Sequence, residues 1–365
     1  MRIIDKYLLK ELGGPLTASL LVTTFILAAG NIMQTMDMVV NKGVEVIQVV
    51  KIFLLFLPYV LIFTIPISVL AAVLLGFGRL SGDNEITALR TSGVSVLTLV
   101  VPVVICGFMI SLASVPLNDR LLPEAEYNAR KLVKTVGIKH PSAMLEPGVF
   151  IKGFKNYIVF IHAINGNKLE DVRIYEPQEG DKPTRSIVAA RGEIISLPES
   201  DSVRLKLENG TADEITPEKP EEFYKLSFKE YFMTLDLDGG MDADSIQKKP
   251  REKSIRELSV DIDSMGKSGV NVTPLRVELH KKLALAFSNL VFILVGIPLA
   301  ISTHRREKVI GFGMAMTLFL VYWGIMLSGI ALSIQGIMPA WAGVWSANII
   351  LSCMGMTLFF RMMKR

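Results

Sequence analysis

Long stretches without a single Asp, Glu, Lys or Arg alternate along this chain with short charged ones. A helix needs about 20 apolar residues to cross a bilayer. Six stretches qualify: Pro15 to Met33, Ile52 to Phe77, Val94 to Val115, Leu283 to Ile301, Val309 to Ile334 and Trp341 to Phe360. One charge at mid-span costs about 2.5–3.5 kcal/mol on an insertion scale, so uncharged windows of this length do not arise by accident. They fall into two groups of three, separated by a polar region from Leu117 to about Leu275.

The polar positions predict different elements. Met1 to Glu11 reads as a short amphipathic helix lying on the membrane face ahead of the first span. Ile3, Ile4, Tyr7 and Leu8 share one side, and Arg2, Lys6 and Lys10 supply positive charge. The central region opens with a polar helical run, Asn118 to Val136, and then changes period. Tyr157, Val159 and Ile161 alternate with their neighbours, as do Val203, Leu205 and Leu207, and Leu235 and Leu237 alternate with Thr234, Asp236 and Asp238. Asn165-Gly166, Glu179-Gly180 and Asn209-Gly210 are turn signals between such runs. Short strands with polar turns predict a small antiparallel sandwich or open barrel. A charged helical segment, Arg251 to Met265, returns the chain to the membrane.

Lysine and arginine counts at the span ends set the orientation. With the N-terminus inside, the cytosolic pieces hold Arg2, Lys6 and Lys10; Arg79 and Arg90; Arg305, Arg306 and Lys308; and Arg361, Lys364 and Arg365. The first outer loop holds Lys42 and Lys51, and the loop Gln335 to Ala340 holds none. Both termini are therefore expected in the cytosol and the central domain outside. Composition agrees: 50% of residues are hydrophobic and 20% charged, and the mean hydropathy is +0.43. The net charge of +4 comes with no basic stripe bearing interleaved aromatics, which sets nucleic-acid binding aside.

Catalytic motifs are absent. Gly266-Lys267-Ser268 ends like a phosphate-binding loop, but Asp261 stands where the first glycine of that loop belongs. No HExxH, GxSxG or CxxC occurs. The histidines, His140, His162, His280 and His304, are scattered, and Cys106 and Cys353 lie in apolar runs, so neither a metal site nor a cofactor is expected. Asn209-Gly210-Thr211 and Asn271-Val272-Thr273 match a glycosylation sequon that is common by chance. Pro58, Pro66, Pro102 and Pro298 fall inside spans, and Asn31, Gln34, Asn289 and Asn348 are polar groups at or near membrane depth.

The loop Gly78 to Gly93 carries more. Ser81 or Asp83 is placed to cap a short helix, Ile86 and Leu89 form its apolar edge, Glu85 and Arg90 point elsewhere, and Gly93 ends it. Such a helix, parallel to the membrane, is fit to dock a cytosolic partner, with Glu85 pairing a basic residue. On the outer side, Lys42, Lys51, Arg120, Arg130, Lys131 and Lys134 are cations placed to meet an anionic headgroup.

Four stretches, MRIIDKYLLKELGGP, GRLSGDNEITALRTSGVS, RVELHKKLALAFSNLVFILVGIPLAI and GFGMAMTLFLVYWGIMLSGIALSIQGIMPAWAGVWSANII, resemble the LptF/LptG permease family. The resemblance covers both membrane halves. It implies an α-helical membrane protein of six transmembrane helices, three and three, with an inserted periplasmic all-β jellyroll-like domain. The expected division is residues 1–118, 119–275 and 276–365. It further implies a transport permease of the inner membrane that exports lipopolysaccharide, works with a second permease of its kind and a cytosolic ABC ATPase dimer, and passes lipid to a periplasmic jellyroll bridge protein. Carried over residue by residue, the ATPase-coupling helix contains Glu85 with Asp83, Ile86, Leu89 and Arg90. The lateral gate falls around Asn31 to Met36 and Tyr322 to Gly329, giving Asn31, Gln34, Tyr322 and Ser328. The lipid phosphate contacts are Lys42, Arg120, Arg130, Lys131 and Lys134. Two other classes are an envelope sensor or assembly scaffold and a membrane-bound lipid-modifying enzyme; the latter needs a charged or metal-binding cluster at membrane depth, which the sequence does not display.

Overall fold

The computed structural model describes residues 3–40, 44–139, 148–154, 157–165, 168–176, 185–196, 202–215, 223–236, 248–268, 270–303 and 308–364. They form two units, one of Met1–Gly30, Phe56–Tyr127 and Lys248–Arg365, the other of Asn31–Leu55 and Asn128–Gln247.

The helices are α1 (Ile3–Val40), α2 (Val46–Gly82), α3 (Glu85–Thr91), α4 (Val96–Pro116), α5 (Leu122–Lys139), α6 (Ile255–Lys267), α7 (Thr273–Thr303), α8 (Lys308–Ile334) and α9 (Ala340–Lys364). Six of them are long and apolar enough to cross a membrane. In the first unit α2 and α7 are the most enclosed, while α1, α4, α8 and α9 leave broad apolar faces open, as expected where lipid is the solvent. Leu70, Phe77, Phe292 and Tyr322 are fully buried in the shared core.

Lipid gives apolar side chains no reason to prefer protein, so close backbone approach and polar ties hold such bundles. Both are present. α8 and α9 touch at Gly329 and Gly343, where a Cβ on either residue would run into the other's backbone oxygen. Asn348 Nδ2 donates to the Ala284 carbonyl (2.9 Å), joining α9 to α7, and Asn289 Nδ2 reaches Ser114 Oγ (3.2 Å), joining α7 to α4. Thr23 and Ser68 hydroxyls meet at 3.2 Å, and Thr24 and Thr64 at the same distance, joining α1 to α2.

Two helices run on where the sequence suggested separate pieces. The N-terminal amphipathic stretch is not a detached surface helix: α1 continues from Ile3 through Pro15 into the span. Leu8 and Leu12 are buried in the core cluster and Ile4 packs against it, while Ile3 and Tyr7 stay exposed, so protein contact holds this stretch in line with the span. Likewise α4 passes into α5 through a π-helical turn, Leu117–Leu121. Asn118 Nδ2 donates to the Ser114 carbonyl there (2.9 Å), supplying a partner where the ladder is reset.

The second unit holds β1 (Phe150–Phe154), β2 (Tyr157–Asn165), β3 (Lys168–Glu176), β4 (Arg185–Ser196), β5 (Ser202–Ile215) and β6 (Phe223–Asp236). They pair antiparallel in chain order as one sheet. The inserted β domain is thus present, its described strands forming a sequential antiparallel sheet. Its buried cluster, including Val159, Val172, Leu207 and Leu235, is supplied by strands alone. Curling of the sheet towards that face accounts for burial by strand residues.

The curl has a visible crease. Pairing skips His162, Asp171, Ala190, Asn209 and Lys229, which form a row across five strands. Asp171 (φ 48°) and Asn209 (φ 52°) are left-handed there. The inward positions change parity at the row: Leu169 then Val172 and Ile174; Ile187 and Ala189 then Ile194; Leu205 and Leu207 then Ala212. One added residue in each strand keeps neighbours in register while turning the sheet. Gly210, beside the row, lies where a Cβ would stand 2.5 Å from the Val188 carbonyl oxygen. Gly210→Val is expected to destabilise the β domain by about 1–3 kcal/mol through overpacking, read as faster limited proteolysis within 148–236 while the helical unit stays intact.

Candidate functional site

Two places combine chemistry with access, and both lie in the helical unit. The first is α3. α2 ends at Gly82, and Asn84 turns the chain in the left-handed region (φ 60°) without a side-chain cap. The expected caps are occupied elsewhere: Ser81 Oγ donates to the Ile301 carbonyl (3.1 Å) and Asp83 lies 3.5 Å from Arg79. Gly93 (φ 86°) follows the helix, with Val94 N–H returning to the Leu89 carbonyl (3.0 Å). Ile86 is buried in the bundle core and Leu89 packs against it, which pins α3 to the spans, while Asp83 and Arg90 are exposed. Glu85 is half-buried, and its Oε2 accepts a 2.7 Å hydrogen bond from the Tyr7 hydroxyl. Beside it, Arg79 of α2 pairs with Glu11 of α1. Sequence reasoning placed Tyr7 only on an apolar face and gave Glu11 no role; neither contact has a signal in local spacing, because 78 and 68 residues separate the partners.

The second place is a cavity of about 580 Å³ among α2, α5, α7 and α8. Its walls are apolar and aromatic, with Tyr59, Ile62, Phe63, Trp323, Leu327 and Ile330; Phe63 and Trp323 meet edge to face at 5.0 Å. Its polar end is set by Lys249, Arg251, Lys281 and Lys282 against Glu126 and Glu278, an excess of positive charge. Lys281 pairs with Glu278 at 2.8 Å. Lys282 is buried, and its Nζ donates to the Asn118 carbonyl (3.0 Å), which belongs to the π turn, and to the Arg251 carbonyl (3.5 Å). Asp119 Oδ1 accepts from the Ile255 amide (2.6 Å), fastening α6 to the same turn. The start of α6 is capped reciprocally, Ser254 Oγ accepting from the Glu257 amide (3.2 Å) and the Glu257 carboxylate accepting from the Ser254 amide (2.7 Å). The Lys248 ammonium, 2.7 Å from Glu257, and then the Ser254 N–H hold that carboxyl down at about 2.

The residues expected at a lipid site are spread out. Tyr322 lies fully in the core, its ring edge to face with Phe292 at 5.0 Å, and the next residue, Trp323, is the one that lines the cavity. Ser328 is exposed and bonds back to the Gly324 carbonyl (2.9 Å). Asn31, whose carbonyl accepts from Thr35 Oγ1 (2.7 Å), belongs to the other unit, as do the half-buried Arg130 and Lys131. Arg120 is exposed within the π turn. Lys42 lies outside the described residues, as do the side chains of Gln34 and Lys134. The cations that do line the cavity, Lys249, Arg251, Lys281 and Lys282, were missed; for Lys281 and Lys282 the available signal was their position immediately before the fourth apolar stretch.

A family model described as "Lipopolysaccharide export system permease LptF/LptG" matches residues 6–361. An uncharacterized protein of Rickettsia prowazekii is 28% identical over 145 residues, 40% of this chain and 40% of its own length. The lipopolysaccharide export system permease protein LptF of Escherichia coli is 22% identical over 98% of this chain and 94% of its own length. The protein of the same name from Shigella flexneri matches to the same extent.

Two outcomes follow from this geometry. Lys282→Met keeps much of the side-chain volume but leaves buried carbonyls unpaired, an expected loss of about 1–3 kcal/mol, measured as a lower thermal midpoint in detergent. A carboxyl held below its ordinary value contributes stability that is complete above about 4.5 and lost as the pH falls towards about 2. Hydrogen exchange at the start of α6 should therefore accelerate across that window relative to Glu257→Gln, which lacks the titrating group.

Proposed function

The chain belongs to the LptF/LptG family of lipopolysaccharide export system permeases, and on that premise we propose that it is one membrane subunit of an ABC-type exporter that lifts lipopolysaccharide out of the inner membrane. The observation that carries this reading is the cavity with aromatic and aliphatic walls and a positively charged end. That arrangement suits an amphiphile with acyl chains and an anionic headgroup. The lysine and arginine distribution supports an orientation with both termini and α3 in the cytosol and the β domain in the periplasm. The charged end of the cavity then lies level with the outer leaflet, where the phosphates of the lipid reside.

Extraction demands an external source of energy. At about 0.8 kcal/mol for each CH₂ withdrawn from hydrocarbon, freeing several acyl chains costs tens of kcal/mol. The energy comes from a cytosolic ATPase dimer that engages α3 through Glu85, with a second permease completing the chamber. ATP-driven closure shifts the chamber from a lipid-holding to a lipid-expelling state. The curled β domain, acting as the jellyroll segment of the path, receives the lipid on its apolar inner face and hands it to a periplasmic bridge of similar build.

A photo-crosslinking residue in place of Leu327, which is exposed and lines the cavity, should capture lipopolysaccharide in exporting membranes and lose the adduct when ATP is depleted before loading. The absence of any adduct in active membranes would remove the cavity from the lipid's route. Glu85→Lys is expected to strip the ATPase from the purified permease; intact association and export in that variant would refute the coupling role.

A further inference from the structure

The contact between Tyr7 and Glu85 joins two elements that the proposed mechanism uses separately. Glu85 is the acidic residue of the docking helix, and Tyr7 is in the second turn of α1, the first span. The Tyr7 hydroxyl donates to Glu85 Oε2 at 2.7 Å, and among the described residues it is the donor to this carboxylate. We infer that Tyr7 is a positioning residue for the ATPase contact, holding the Glu85 carboxylate in one rotamer with its second oxygen presented outward, and that α1 thereby takes the force of the ATPase directly from α3. This rests on the reading that Glu85 meets the ATPase.

A phenol suits the task chemically. A carboxylate that must attract a cation from a partner has to stay ionised and unneutralised. A lysine or arginine in place of Tyr7 would orient Glu85 equally well but would cancel the charge that the partner reads. A neutral O–H donor fixes the geometry and leaves the full negative charge in place. Glu85 has two oxygens, and among the described residues Tyr7 occupies one, which offers the other to the partner's guanidinium or ammonium.

The mechanical side is equally local. Leu8 and Leu12 of α1 are buried in one cluster with Phe77 and Leu80 of α2 and Ile86 of α3. Leu12 Cδ2 rests where a Cβ on Gly76 would stand, so α1 and α2 approach closely at that level. Arg79 pairs with Glu11 and lies 3.5 Å from Asp83, bridging α1 to the α2–α3 corner. A push on α3 is therefore delivered to the first turns of α1, the part of that helix that lies in the same unit as α3.

The test uses the full-length permease in nanodiscs, the purified cytosolic ATPase that pairs with it, and the variants Tyr7→Phe, Glu85→Ala and their combination. Tyr7→Phe keeps the ring and loses only the hydroxyl. It should weaken ATPase binding about two- to tenfold and lower the lipid extracted per ATP hydrolysed, with the thermal midpoint of the permease alone unchanged. In the Glu85→Ala background the same change should have no further effect on binding, because the group it orients is gone. If Glu85→Ala itself leaves binding intact, the coupling reading fails. If Glu85→Ala weakens binding but Tyr7→Phe does not, or weakens it as much without Glu85 as with it, the positioning inference fails while the coupling reading stands. A fall in the thermal midpoint of the isolated Tyr7→Phe permease that accounts for the lost binding would reduce Tyr7 to a packing residue and overturn the inference.

Discussion

Inside a bilayer an apolar side chain gains little by leaving lipid for protein, so this bundle is held by shape and by a few hydrogen bonds. The ties are few and specific. Asn348 to the Ala284 carbonyl, Asn289 to Ser114 and the paired hydroxyls between α1 and α2 each join one span to another. The glycine contact between α8 and α9 brings two backbones together where no side chain fits. A structure fastened at points, not sealed by a general hydrophobic pressure, leaves the faces between those points open to lipid. That freedom is what a permease needs if an amphiphile is to enter from the side.

The same constraint explains where irregular backbone appears. Away from water, a helix that breaks its ladder must find other partners for the released groups. The π turn after α4 does so with Asn118, which donates to the Ser114 carbonyl, and Lys282, which donates to the Asn118 carbonyl, and it stands at the polar end of the cavity. Lys282 therefore has two functions that cannot be separated by position: it satisfies the carbonyls of the turn and contributes positive charge to the cavity. In the proposed function the lipid-facing and cytosol-facing chemistry occupy different places in this unit, the first at the charged end of the cavity and the second at α3. The spans are what connects them.

How much of this was legible beforehand depended on how local each signal is. The six spans were readable because twenty consecutive uncharged residues identify themselves without reference to the rest of the chain. The short helix α3 was readable for the same reason: Ile86 and Leu89 at helical spacing and Gly93 at the end are short-range facts, though its N-cap is Asn84 because Ser81 is bonded to the distant Ile301 and Asp83 lies against Arg79 one turn back. The continuity of α1 was hidden, since an amphipathic stretch looks alike whether it lies on lipid or on protein. Tyr7 with Glu85, and Lys282 with Asn118, are contacts between residues far apart in the chain, which one sequence does not encode in any pattern. Tyr322 shows the finest grain of the problem: the family resemblance pointed to Tyr322 to Gly329, but a step of one residue along a helix turns the side chain by about 100°, and it is Trp323 that faces the cavity.

The crease in the β domain also reaches beyond its own geometry. The extra residue is present in strand after strand, and Asp171 and Asn209 occupy their unusual conformations on either side of Ala190 because the row is shared. Removing one residue from a single strand would throw that strand out of step with both neighbours and turn its oily side chains towards water. Indels are therefore tolerable in the hairpin connections and forbidden in the strands, so relatives of this chain are free to differ in loop length while each strand keeps its count of residues between turn and fold line.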